Sequence, residues 1–73
     1  MSKPALQWIS GFMHTARSGN MTRAAEQLNV TVSALSHQMR RLEERMGRRL
    51  MERGPRGIQL TPDGQNLYLQ LEP

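Results

Sequence analysis

Apolar residues recur at helical spacing along most of this chain. Leu6, Ile9, Phe12, Met13 and Ala16 predict one face of a helix that opens at Pro4 and ends near Ser18, because positions three and four apart share a helix face. Proline suits a first helical turn, where its missing N–H has no partner to lose. Gly11 inside this helix costs about 1 kcal/mol relative to alanine, which points to close packing there. Gly19 is placed to end the helix and Asn20 to cap the next. Thr22 to Leu28 predicts a short second helix with Ala24, Ala25 and Leu28 in the core, and Asn29-Val30-Thr31 a turn. A third helix follows over about 32–46, with Leu35, Met39, Leu42 and Met46 on its inner side. Thr31 is its expected N-cap, and Val30 and Leu35 occupy the two positions of a hydrophobic staple.

After Gly47 the pattern changes. Leu50 to Arg53 and Ile58 to Leu60 are short mixed runs separated by the turn sequence Gly54-Pro55-Arg56-Gly57. They predict a β-hairpin with Arg56 at its tip. Thr61-Pro62 opens a last helix, a cap followed by proline at N1, which Gly64 weakens. Leu67, Tyr68 and Leu71 leave an apolar stripe that nothing nearby in the sequence covers. It is expected to be a dimer contact or the root of a longer helix. Trp8 falls beside the apolar face of the first helix, where core or dimer contact is its expected use. A platform for stacking bases would want more aromatics than this chain holds.

The second and third helices carry a more specific signal. Counting Met21 as the first position, Ala25 stands fifth, Asn29 ninth and Leu35 fifteenth. A helix-turn-helix needs a small residue at the fifth place, a residue tolerant of left-handed backbone at the ninth and a branched apolar one at the fifteenth. On the outer side of the third helix lie Val32, Ser33, Ser36, His37 and Arg40, short and mostly polar with a basic end. A helix with that face can lie in a major groove and touch base edges. Capped helical hairpins also occur in proteins that bind no nucleic acid, so the charge and the hairpin must add weight. A helix-turn-helix followed by a β-hairpin is a winged helix, an all-α fold with a small β-wing.

Seventy-three residues make one small domain, with no Cys and so no disulfide. His14 and His37 are the only histidines, without a spaced carboxylate cluster, so no metal site and no cofactor are expected. The formal net charge is +4, and nine of the ten basic residues are Arg. Seven of those Arg fall between residues 37 and 57, against Glu43, Glu44 and Glu52. A solvated basic face accounts for a modest charge, but the planar guanidinium fork binds phosphate and base edges bidentately. Arg23, near the start of the second helix, opposes the helix dipole at a cost of roughly 0.3–1 kcal/mol. A phosphate opposite it would offset that cost. Arg53 is expected to hold the DNA backbone or to pair with Glu43, and Arg56 to reach a minor groove or a phosphate strand. No apolar run approaches a membrane span, and MSKPALQW does not read as a signal peptide. No catalytic set can be assembled, since Ser33, Ser36 and His37 share a helix but no buried acid stands near the histidine.

These residues match a family pattern. Phe12, Thr22-Arg23-Ala24-Ala25, Leu28, Ser33-Ala34-Leu35-Ser36, Gln38, Leu42-Glu43, Gly47, Leu50, Arg53, Leu60-Thr61 and Gly64 hold the spacing of the N-terminal DNA-binding domain of LysR-type transcriptional regulators. The chain resembles that domain from about Leu6 to Leu71, without a gap. The resemblance implies a winged helix-turn-helix over residues 1–60 and, over 61–73, the start of a linker helix that pairs two subunits. It also implies a C-terminal domain that senses a small molecule. That domain is absent, so the chain is expected to be a piece of a longer regulator. Three positions depart from the family: Val32 stands where a polar residue, often Gln, is usual, His37 where Arg is commoner, and Met51 where Phe is usual. The last helix also stops at Pro73, well short of the family's linker.

The resulting expectation is a bacterial, sequence-specific binder of double-stranded DNA that regulates transcription. Val32, Ser33, Ser36, His37 and Arg40 are expected to read bases, and Thr22, Arg23, Thr31, Arg53 and Arg56 to hold the backbone. Leu67, Tyr68 and Leu71 are expected to contact a second copy in a homodimer, or in a homotetramer of the full-length regulator. A small-molecule effector is expected to act only through the absent domain. No membrane partner is expected, and the location is cytoplasmic, on the nucleoid. The competing reading is a winged-helix module for protein interaction or dimerisation, whose recognition face would more often carry exposed Leu, Phe or Tyr anchors.

Overall fold

In the computed structural model, which describes residues 6–72, the chain runs α1 (Leu6–Ser18), α2 (Met21–Leu28), α3 (Val32–Met46), β1 (Met51–Gly54), β2 (Gly57–Leu60) and α4 (Pro62–Leu71). This is the winged helix-turn-helix that the pattern predicts. The expected helix start at Pro4 lies outside the described residues. Phe12, Ala24, Leu35 and Leu42 are fully buried and Ala25, Met39, Leu50 and Met51 nearly so, forming one core between the three helices and the root of the wing. Gly11 does mark a close approach. A Cβ there would stand 2.9 Å from Met39 Cε and 3.0 Å from Leu35 Cδ1.

Leu6 and Met46 depart from expectation. Leu6 is 86 % exposed and Met46 is also exposed. At 3.6 residues per turn, Leu6 stands roughly 120° around the helix from Phe12, off the buried arc. Trp8 and Ile9 pack on the core instead, and Thr15 is fully buried on the same side.

The caps expected at the starts of α2 and α3 and at the end of α2 form. Asn20 Oδ1 accepts from the Arg23 N–H at 3.0 Å, and Thr31 Oγ1 from the Ala34 N–H at 3.0 Å. Asn29 has a φ of 59°, the only positive value on a non-glycine among the described residues. Its N–H caps α2 through the carbonyls of Ala25 and Glu26.

The wing is a two-stranded antiparallel ladder, Met51 facing Leu60 and Gly54 facing Gly57, joined by Pro55 and Arg56. It is set one residue later on β1 than the apolar pattern suggests. Leu50 falls just outside the ladder because its N–H goes to the Glu43 carboxylate, although its carbonyl still accepts from the Thr61 N–H in the same register. Gly57 takes the positive φ of 109° that closes the hairpin. The Ile58 N–H then donates to the Gly19 carbonyl at 3.0 Å, docking the wing on the turn between α1 and α2.

The apolar stripe of α4 is not left uncovered. Leu67, Tyr68 and Leu71 are half-buried against the chain's own core, and the exposed side chain is Leu69 at 68 %. The cause lies at the start of the helix. Thr61 caps α4 and donates to the Arg49 carbonyl at 2.6 Å. Gly64 then passes so close that a Cβ would stand 1.9 Å from the Leu50 carbonyl oxygen. The glycine that weakens the helix in isolation lets it seat.

Candidate nucleic-acid interface

The outward face of α3 is open to solvent. Val32 is 41 % exposed; Ser33, His37 and Arg40 are exposed, and Ser36 is half-buried. The face is held rigidly from behind, because Leu35, Met39 and Leu42 anchor the opposite side in the core. Among the described residues, the wing reaches this strip at Ser36, while Val32, Ser33, His37 and Arg40 stay exposed.

Beside that strip, α3 and the wing enclose a groove of about 540 Å³ lined by Ser36, Met39, Arg40, Glu43, Arg49, Met51 and Arg53. Two side chains bridge it. Glu43 is not paired with Arg53. Its Oε2 accepts from the backbone N–H groups of Leu50 at 2.8 Å and Met51 at 3.2 Å. These donors lie just outside or at the first rung of the ladder, and the carboxylate gives them the partner they lack. Arg49 Nε stands 4.0 Å from the same oxygen. Arg53 donates instead from Nη2 to Ser36 Oγ, linking wing to helix.

The expected backbone-holding residues divide between places. Thr22, Arg53 and Arg56 come together around a concavity between the wing tip and the start of α2, which Asn20, Gly54 and Pro55 also line. Arg23 lies elsewhere, in a concavity with His14, Arg17, Ser18 and Gln27. Thr31 stands exposed at the cap of α3. Leu67, Tyr68 and Leu71 sit on α4, where the Tyr68 hydroxyl accepts from Arg17 Nε at 3.3 Å.

Sequence reasoning missed the part of Arg49 in the groove and the contact of Arg41, whose guanidinium carbon lies 5.7 Å from the centre of the Trp8 ring. Neither had a local signal, since each depends on a partner brought near by folding. Among the described residues, no group of three His, Cys, Asp or Glu could hold a metal ion. No described helix is long and apolar enough to cross a membrane.

Comparison with known proteins agrees with this geometry. Residues 6–65 match the family model for the bacterial regulatory helix-turn-helix protein, lysR family. The chain is 47 % identical over 62 residues to the HTH-type transcriptional activator AmpR of Pseudomonas aeruginosa, covering 85 % of this chain and 21 % of that protein. It is 42 % identical over 74 residues to the glycine cleavage system transcriptional activator of Escherichia coli K12, covering 99 % of this chain and 24 % of that protein. The chain thus spans less than a quarter of the length of these relatives. Among solved structures, BenM DBD in complex with catB site 1 DNA superimposes with a TM-score of 0.86 at 33 % identity, covering 90 % of this chain and 74 % of that one.

Proposed function

Because the chain belongs to the lysR family of bacterial regulatory helix-turn-helix proteins, as a DNA-binding domain of that family, we propose that it reads double-stranded DNA with α3 in the major groove. The observation that carries this reading is the open strip from Val32 to Arg40, backed by a buried anchor row and flanked by a basic wing. Ser33, Ser36, His37 and Arg40 meet base edges in this reading. Val32 offers only apolar contact, such as to a thymine methyl. Thr22, Arg53 and Arg56 clasp one stretch of phosphate from the wing side. Thr31 meets the backbone at the cap of α3, and Arg23 meets a second stretch of phosphate from its separate concavity. These contacts set register, while the base contacts set sequence.

The exposed strip carries no large aromatic or leucine anchor, which disfavours use of the same face for a protein partner. Two copies would engage half-sites about one helical turn apart. Leu67, Tyr68 and Leu71 would then serve the dimer through the part of each side chain that the core leaves open. A homotetramer, an effector and a cytoplasmic place on the nucleoid belong to the whole regulator, and the domain itself takes no cofactor and performs no catalysis. Gel-shift titration against a panel of duplexes tests the roles. Arg40→Ala relaxes sequence preference, whereas Arg56→Ala weakens all sequences alike. The opposite pattern would assign base reading to the wing and backbone holding to α3.

A further inference from the structure

Arg53 and Met51 stand two positions apart on β1, so their side chains leave the strand on one face. Met51 is buried in the core, and Arg53 reaches α3, where its Nη2 donates to Ser36 Oγ. A guanidinium has donors only, so the serine oxygen must be the acceptor in this bond. The hydroxyl keeps its own hydrogen and one lone pair. A base amino group arriving there would bring another N–H to an oxygen already facing a full positive charge, and would leave the hydroxyl hydrogen unused. A base acceptor takes that hydrogen and leaves nothing unpaired. Serine by itself pairs with either kind of base edge. The bond to Arg53 removes that freedom.

We propose that Arg53 is a positioning residue for base recognition. By occupying Ser36 Oγ as an acceptor, it makes the Ser36 hydroxyl a donor that reads an acceptor edge: guanine O6 or N7, adenine N7 or thymine O4. This rests on the reading that α3 lies in the major groove, and it gives Arg53 a part beyond holding phosphate. Glu43 supports it by tying the root of the wing to the same helix, so that Arg53 and Ser36 keep their register.

The test uses a duplex carrying the half-site the protein selects from random DNA, varied at each base pair in turn. Relative affinities are measured for the wild type, Ser36→Ala, Arg53→Met and the double variant. Met keeps much of the apolar stem, and circular dichroism checks that each variant is folded. Ser36→Ala is expected to flatten the preference at one base pair by roughly 3- to 10-fold. Arg53→Met is expected to flatten the same pair while lowering affinity for every sequence, and the double variant to flatten it no further. A base analogue lacking the exocyclic amino group at that pair is expected to leave the Ser36 contribution in place. The inference is overturned if Arg53→Met lowers every affinity by one common factor with that preference intact, or if the Ser36 contribution vanishes with the amino group. Ser36→Ala without effect at any base pair removes the underlying reading of α3 itself, and the inference with it.

Discussion

At the scale of single residues, three positions separate what local sequence determines from what packing adds. Asn29 was legible, because a turn of this length needs a left-handed residue and asparagine accepts that backbone at low cost. Gly64 was not. Its sequence context announces only a poor helix former, and the 1.9 Å approach of Leu50 exists only once α4 has folded back. Gly64→Ala is therefore expected to destabilise the domain by at least about 1–3 kcal/mol, since the neighbour is backbone and cannot yield cheaply. Gly11→Ala should change stability by less than about 1 kcal/mol, because one nearest neighbour is the flexible end of Met39 and the gain in helix propensity opposes the crowding. Chemical denaturation of both variants checks the ordering, and equal losses would refute it. Thr15 is the third case. Its hydroxyl is fully buried and, among the described residues, makes no hydrogen bond. Thr15→Val keeps the shape and discards the unsatisfied group, so the denaturation midpoint is expected to rise by the equivalent of up to about 1 kcal/mol. A clear loss of stability would mean the hydroxyl has a partner in solution.

At the scale of elements, caps and periodicity located the second and third helices, the end of the first and the start of the last within about a residue, because those signals act within one turn of chain. The wing was legible as a hairpin but not in its attachment. Sequence spacing left Arg53 free to pair with Glu43, yet each went to a different partner. The reason is geometric. Glu43 lies on α3 where the chain turns into β1, and the uncommitted N–H groups of Leu50 and Met51 are nearer than any cation and cannot find another acceptor. Glu43→Ala leaves two part-buried donors without a partner and is expected to cost about 1–3 kcal/mol. Glu43→Gln, which keeps an accepting oxygen, should cost less. Amide hydrogen exchange in β1 and β2 gives the local readout. If Ala and Gln were equally harmful, the tie would rest on charge rather than on the accepted N–H bonds.

At the scale of the molecule, the seven Arg between residues 37 and 57 gave the sequence its electrostatic signal, but not their division of labour. Folding gathers Thr22, Arg53 and Arg56 at one concavity, sends Arg23 to another, and ties Arg48 to Asp63 at 3.0 Å. A charge count overstates the cations left for phosphate for that reason. With Arg23, Arg53 and Arg56 neutralising phosphates, log affinity should fall against log salt with a slope of about −3 per subunit, and Arg56→Ala should make it shallower by about one. An affinity indifferent to salt would discard the electrostatic half of the account. The central claim is more directly tested by mapping backbone amide chemical shifts while titrating the protein with a duplex carrying its selected half-site. The account predicts the largest changes along residues 32–40, with a second set at the wing tip around Arg56. Changes confined to α4 and the Trp8 side, with the strip on α3 undisturbed, would contradict it.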